Sequence, residues 1–245
     1  MKKILAIFVL CFAVFAANAQ IFLLQESFDA GAIPSGWTVI DNDGDGYSWE
    51  IANPQFTTHT GAGCIASASY INNVGAVTPD NWLVTPAITL PAGNSATLSF
   101  WTIGQDASYA DEHFEVYVST TGTSVADFTG TPIIEEVATG EYVQHTFDLA
   151  DYAGQTIYIA FVHNEVTDMF WLNLDDVEVY YYNPNIANAP TNFAITPDAD
   201  HALVATLSWT NPTTTFGGTA LTSINSVELY RGTTLVNSFA NPTVG

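Results

Sequence analysis

HFEVYVST, residues 113–120, alternates apolar and polar side chains, with Phe114, Val116 and Val118 on one face and Glu115 and Tyr117 on the other. Successive side chains of a strand point to opposite faces, so a period of two marks a half-buried β-strand; a helix would repeat at about 3.6 residues. Similar short runs recur in ATLSFWTI (96–103), YVQHTFDL (142–149), TIYIAFVHN (156–164) and FWLNLDDVEVYYY (170–182). Turn-forming stretches such as PAGNSA (91–96) and TTGTSVADFTGTP (120–132) separate them at the spacing of an all-β sandwich. Almost nothing reads as helix.

The chain opens MKKILAIFVLCFAVFAANAQ. Lys2 and Lys3 form a positive start, Ile4 to Ala17 an apolar run short for a membrane span, and Ala17-Asn18-Ala19 fits a small-x-small cleavage site. Residues 1–19 are therefore expected to be a secretory signal cut before Gln20, giving a secreted product, extracellular or at the cell surface, with no membrane insertion of the mature chain. Cys11 lies inside the apolar run and lacks the small residues that precede a lipid-bearing cysteine. It leaves with the signal, so Cys64 stays alone and no intrachain disulfide is expected in an oxidising compartment.

Loss of Lys2 and Lys3 takes the formal charge from −22 to −24, with Arg231 alone against 25 acidic residues. Nucleic acid and anionic membrane surfaces need clustered cations and are excluded as direct partners. Local acid clusters need counterions, and a divalent metal is the natural one. The 48% hydrophobic and 13% aromatic content distinguishes the chain from a disordered acidic tail.

The segment NPNIANAP (183–190) has no hydrophobic period and reads as a linker, assigned to 184–190 between a first domain at 20–183 and a second at 191–245. The second shows TNFAITP, ALVATLSWTNP and SINSVELYRGTTLVNSF, three or four strands in a stretch too short for a complete immunoglobulin-like sandwich of about 100 residues. A fragment of a longer polypeptide with further domains is expected.

DNDGDGYSWE (41–50) carries the strongest chemical signal. Asp41, Asp43 and Asp45 match positions one, three and five of an EF-hand loop and Gly46 the glycine at six, but position twelve is Ala52, with Glu50 at ten. The flanks GWTVID and YSWEIA look like strands, which rules the EF-hand out. Alternating carboxylates on a glycine-relaxed loop still suit calcium; the competing reading is a hairpin turn favoured by Asp-Gly pairs alone. Asp175 and Asp176 interrupt an apolar strand. Alternation would send one toward the core, where metal or backbone N–H donors must satisfy it, unless a bulge at the phase change from Leu172/Leu174 to Val177/Val179 turns both outward.

Catalytic signals are weak. There is no Gly-x-Ser-x-Gly or His-Glu-x-x-His motif, His59, His113, His145, His163 and His201 are scattered, and Cys64 in GAGCIASAS reads as a small buried thiol. The chain is read as a non-enzyme. Most aromatics are expected to pack the sheets, whereas Tyr47 and Tyr109, beside turns, are candidate ligand-stacking residues.

Four ordered strings, ESFDAGAIPSGWTVIDNDGDGYSWE (26–50), PDNWLVTPAITLP (79–91), LSFW (98–101) and LDDVEVY (174–180), resemble the cleaved-adhesin or choice-of-anchor J family. These are secreted modules of Bacteroidetes-type surface proteins, similar in fold to MAM-type jelly rolls, and include adhesin domains attached to gingipain-like proteases and haemagglutinins. The likeness covers roughly residues 22–182. Residues 188–245 resemble the first half of a fibronectin type III domain at Trp209, Tyr230-Arg231 and Asn241-Pro242. The resemblance implies an all-β fold, an antiparallel β-sandwich jelly roll followed by part of an immunoglobulin-like sandwich. It implies calcium (Ca2+) held by Glu26, Asp29, Asp41, Asp43, Asp45, Asp175 and Asp176, with the first and last strands side by side. It implies a non-catalytic adhesin that attaches to a host or matrix protein or glycan. The alternative is a carbohydrate-binding or accessory domain of a secreted peptidase or glycoside hydrolase.

Overall fold

The computed structural model describes residues 20–52, 54–197, 205–231 and 234–245. The expected signal (1–19) and His201 lie outside the described residues. One compact unit is Phe22–Tyr182, and Asn183–Gly245 belongs to another. In chain order the first carries β1 (Gln20–Glu26), β2 (Thr38–Asp41), β3 (Glu50–Ile51), β4 (Ile65–Ala68), β5 (Tyr70–Ile71), β6 (Gly75–Ala76) and β7 (Asn81–Val84). It continues with β8 (Ile88–Thr89), β9 (Ala96–Gly104), β10 (His113–Ser119), β11 (Ile134–Val137), β12 (Val143–Asp148), β13 (Thr156–His163) and β14 (Trp171–Tyr182).

Twelve of these strands form two antiparallel sheets, which is the expected sandwich, and β5 pairs with β6 in a separate hairpin. One runs β12-β9-β14-β4-β3 with β1 also on β14; the other runs β11-β10-β13-β7-β2 with β8 also on β13. The first and last strands of the unit are thus neighbours. The alternation of HFEVYVST is realised in β10, where Phe114 and Val116 are buried and Val118 packs on the same core. Phe100 of β9 meets Phe161 of β13 at 5.0 Å and Phe114 at 6.2 Å between ring centroids, so the inner faces of both sheets share one apolar layer. Each such side chain contributes about 1.5–3 kcal/mol on burial.

The opposite face of β10 is not simply wet. Tyr117 stacks on Trp82 at 5.6 Å, and Phe128, from the long turn 120–132, closes a second apolar cluster with Val84, Ala160 and Val162. In the other unit, β15 (Thr191–Pro197) pairs with β16 (Ala205–Thr210), and β17 (Ser226–Arg231) with β18 (Thr234–Ala240). Trp209 and Phe239 bring the two pairs together at 5.3 Å, and Ala187 makes a bridge with Thr215.

The register of β14 on β9 shifts between Asp175 and Glu178, and Asp176 has φ 47°. This is a bulge. It resets the alternation so that Leu172 and Leu174 before it and Val177 and Val179 after it all reach the core.

One end of the inter-sheet space is filled by polar groups. His163 Nδ1 lies 2.8 Å from Ser67 Oγ, and its Nε2 lies 3.0 Å from Glu112 Oε2; all three residues are fully buried. The other carboxylate oxygen of Glu112 accepts from Ser69 Oγ at 3.0 Å and Phe170 N–H at 2.7 Å. Asn81 donates to Ser67 at 3.1 Å. The Ser–His–Glu arrangement has the composition of a catalytic triad, but zero exposure closes it to substrate, so its work is structural.

Deleting Asp176 removes the extra residue and leaves Leu172, Leu174, Val177 and Val179 in strict alternation. A cooperative thermal transition followed by near-ultraviolet circular dichroism should therefore survive, with a midpoint lowered by the lost contacts to His59 and Thr60. Glu112→Ala strands His163, Ser69 and the Phe170 N–H; we expect a loss of about 3–5 kcal/mol in urea unfolding, with a smaller loss for Glu112→Gln.

Candidate functional site

Asp41 ends β2 and folds the following turn around its own carboxylate. Its two oxygens accept the N–H groups of Gly44 at 2.8 Å and Gly46 at 2.9 Å, while Asp45 accepts from Tyr47 N–H at 2.8 Å. The result aims three carboxylates at one point: Asp41, Asp43 and Asp45 each offer an oxygen within 4.8 Å of the others. The hydrogen bond from Asp43, then the Gly46 N–H, holds the Asp41 carboxyl below its usual range. Partial burial, that same hydrogen bond and the charge of Asp45 push Asp43 up to about 6. Three oxygen donors crowded together suit a hard cation such as calcium, which takes oxygen ligands in flexible geometry. The turn runs between strands β2 and β3, as the failed EF-hand match requires.

The remaining acids named from sequence are placed differently. Asp175 faces away from the main core yet is fully buried, because residues 57–64 lie over it. Its carboxylate accepts His59 N–H at 2.8 Å, Thr60 N–H at 3.3 Å and Asp176 N–H at 2.7 Å. Backbone donors therefore satisfy it, although burial still pushes its carboxyl up to about 6. The bulge does not turn both acids to solvent. Asp176 meets His59 Nδ1 at 2.6 Å and Thr60 Oγ1 at 2.8 Å, and the His59 ring stacks on Trp101 at 3.7 Å.

Asp29 grips the same loop from the other side, accepting from Ala62 and Gly63 N–H at 2.5 and 2.9 Å. A Cβ on Gly61 (φ +61°) would come within 2.1 Å of the Asp29 carboxylate, so only glycine fits this grip. Glu26 accepts from Phe28 N–H at 2.7 Å. Among the described residues, the acids that converge within 4.8 Å are Asp41, Asp43 and Asp45. Cys64 is buried, and burial pushes its thiol up to about 12, which keeps it unreactive.

A cleft of about 500 Å³ is lined by Tyr70, Asn72, Asp106, Tyr109, Asp168, Met169 and Phe170. Tyr109 is 54% exposed; Tyr47 is half-buried and does not line the cleft. Two features hold the walls. The Tyr109 N–H closes a turn on the Asp106 carbonyl at 2.8 Å, and a Cβ on Gly104 would sit 2.3 Å from the Ala110 carbonyl, so the turn is pressed on the end of β9. The floor is tied to the buried polar group: Phe170 N–H to Glu112, Met169 N–H to Ser69 Oγ at 3.2 Å, and Asp168 N–H to the Ser69 carbonyl at 3.1 Å. Of these residues the sequence pointed only to Tyr109. Asp106 and Asp168 are 62 positions apart and meet through the sheet order alone.

The profile of the Cleaved Adhesin Domain matches residues 21–179. The chain is 45% identical over 177 residues to Hemagglutinin A of Porphyromonas gingivalis, covering 64% of this chain and 8% of that protein. It is 42% identical over 173 residues to Gingipain R1 of the same organism, covering 64% of this chain and 10% of that one. It thus spans a tenth or less of these relatives' length. The K3 cleaved adhesin domain of Lys-gingipain from Porphyromonas gingivalis superposes with a TM-score of 0.59 at 42% identity, over 66% of this chain and 98% of that domain. With the profile covering both sheets of the sandwich and a solved adhesin domain superposing on them, the chain belongs to the cleaved adhesin family.

Proposed function

We propose that the chain is a non-catalytic adhesive module of a secreted, cell-surface protein of Bacteroidetes type, supported by calcium and attaching to a protein or glycan of a host or matrix. The observation that carries this reading is the family match across the whole sandwich, 21–179. The cleft and the acidic turn supply its parts. The cleft offers an exposed aromatic ring on a floor fixed by buried hydrogen bonds, as a binding surface needs. The turn offers Asp41, Asp43 and Asp45 as cation ligands, with the Gly44 and Gly46 N–H groups orienting Asp41. A bound calcium ion would offset two of the three negative charges and tie the turn between β2 and β3.

A second reading, an accessory domain carried by a peptidase, is favoured by the likeness to Gingipain R1 and Lys-gingipain, of which the chain covers 10%. Both readings place the module outside the cell and give it a binding role; the neighbouring domains of the full polypeptide separate them.

Red cells are the first surface to try, because one relative is named a hemagglutinin. Saturable adhesion of the full chain to red cells or matrix-coated surfaces is expected in calcium, and its complete absence from both would sink the adhesive reading. Calcium at about 100 times its dissociation constant should add about 2.7 kcal/mol of stability. A thermal midpoint indifferent to calcium and to chelator would disprove the support role, and Asp43→Asn with Asp45→Asn should remove the calcium effect. Asp43 lies above its usual 3.8 in the folded state, at about 6. Its favourable share of stability is therefore present below 3.8 and lost as pH rises through about 6 in metal-free protein. Calcium competes with that proton, so calorimetry should show binding tightening from about pH 5 to about pH 7.

A further inference from the structure

We infer that the cleft between the β5–β6 hairpin, the 104–110 turn and the 165–170 segment binds a short neutral oligosaccharide. This deepens the adhesive reading and rests on it. Three aromatic side chains, Tyr70, Tyr109 and Phe170, line the cleft beside the amide of Asn72 and the carboxylates of Asp106 and Asp168. A sugar ring presents an apolar C–H face and a rim of hydroxyls. Aromatic faces match the first; acceptors and an amide that both donates and accepts match the second. The polar groups are held in place: Asp106 accepts Ser108 N–H at 2.9 Å, Asp168 has φ 60° with its N–H on the Ser69 carbonyl, and the 170 position is tied to buried Glu112. A site fixed in this way loses little entropy when it takes a ligand.

Charge and volume narrow the class. No Lys or Arg lies between residues 22 and 182, where all acids but Asp198, Asp200 and Glu228 of the 25 in the chain are found. Sialylated, uronic or sulfated glycans would enter against that field with no cation to receive them. A lone lysine or arginine side chain would find the carboxylates, but it would leave most of a cleft of about 500 Å³ filled with water. A solvated ion pair of that kind is worth only about 0–1 kcal/mol. A chain of neutral sugar rings fills the space and uses the aromatic and polar walls together.

The chain has two methionines, Met1 and Met169, and Met169 lines the cleft. Methyl-labelled methionine in the full chain therefore reports on this site. The probes are neutral oligosaccharides of hexoses and N-acetylhexosamines, α- and β-linked, with sialylated and sulfated counterparts and a lysine- and arginine-containing peptide. We expect at least one neutral oligosaccharide to bind saturably, to shift the Met169 methyl resonance, and to keep its affinity when salt is raised. Tyr109→Ala should weaken it at least about tenfold. Asp168→Asn, which suits the left-handed backbone there, should weaken it while leaving the thermal midpoint unchanged. Binding confined to anionic glycans, binding only of the peptide with loss at high salt, or sugar binding that leaves Met169 unmoved would each overturn the proposal. So would no neutral binder in the panel. Red-cell or matrix adhesion that survives Tyr109→Ala would overturn the sugar cleft as the contact while leaving the adhesive reading standing.

Discussion

Every carboxylate of the sandwich has to be satisfied without a lysine or an arginine, because residues 22–182 contain neither. This constraint organises the structure more than any single contact. An unpaired buried carboxylate is expensive, and the usual remedy of an ion pair with Lys or Arg is missing. The remaining donors are backbone N–H groups, hydroxyls, histidines, the amides of Gln25, Asn42 and Asn164, and the indole N–H of Trp82. Each solution forces a loop into a particular shape: Asp29, Asp175 and Asp176 pin residues 59–63 through their own N–H groups and side chains, and Asp41 winds its turn around Gly44 and Gly46. The acids act as the staples that disulfides supply in many secreted domains.

The bulge in β14 is where this constraint meets the core. A strand passing straight through would carry Val177 and Val179 to the wrong face. The bulge, which sets two residues of β14 opposite one of β9, restores them and leaves Asp175 toward the loop whose N–H groups it accepts. Core phase and loop anchoring are therefore set by the same irregularity.

The polar group around His163 links the sandwich interior to the cleft. Glu112 holds Ser69 and the Phe170 N–H, and Ser69 in turn holds Met169. The floor of the cleft thus inherits the rigidity of a fully buried network, while Tyr109 stands exposed at its rim. A fixed floor and an accessible aromatic ring suit the binding role proposed for the cleft.

Much of this was legible in the residues. Alternation in HFEVYVST and its companions is a local property of strands, so the sandwich class and its core face followed from pattern alone. The triplet Asp41, Asp43, Asp45 could also be seen, since all three lie within one turn and need no distant partner. The phase change in FWLNLDDVEVYYY announced the bulge but not its consequence, because residues 57–64, which bury Asp175, come from more than a hundred positions away. The cleft and the Glu112–His163 group left still less trace: Tyr70, Asp106 and Asp168, like Ser67, Glu112 and His163, are separate in sequence and ordinary in their local patterns. By itself, then, the sequence determined the strands, the class of fold and the acidic turn, since each depends on neighbours a few residues apart. Only the tertiary structure decided which acids are spanned by backbone donors, which converge, and where a cleft opens, because those outcomes depend on the order in which strands pair.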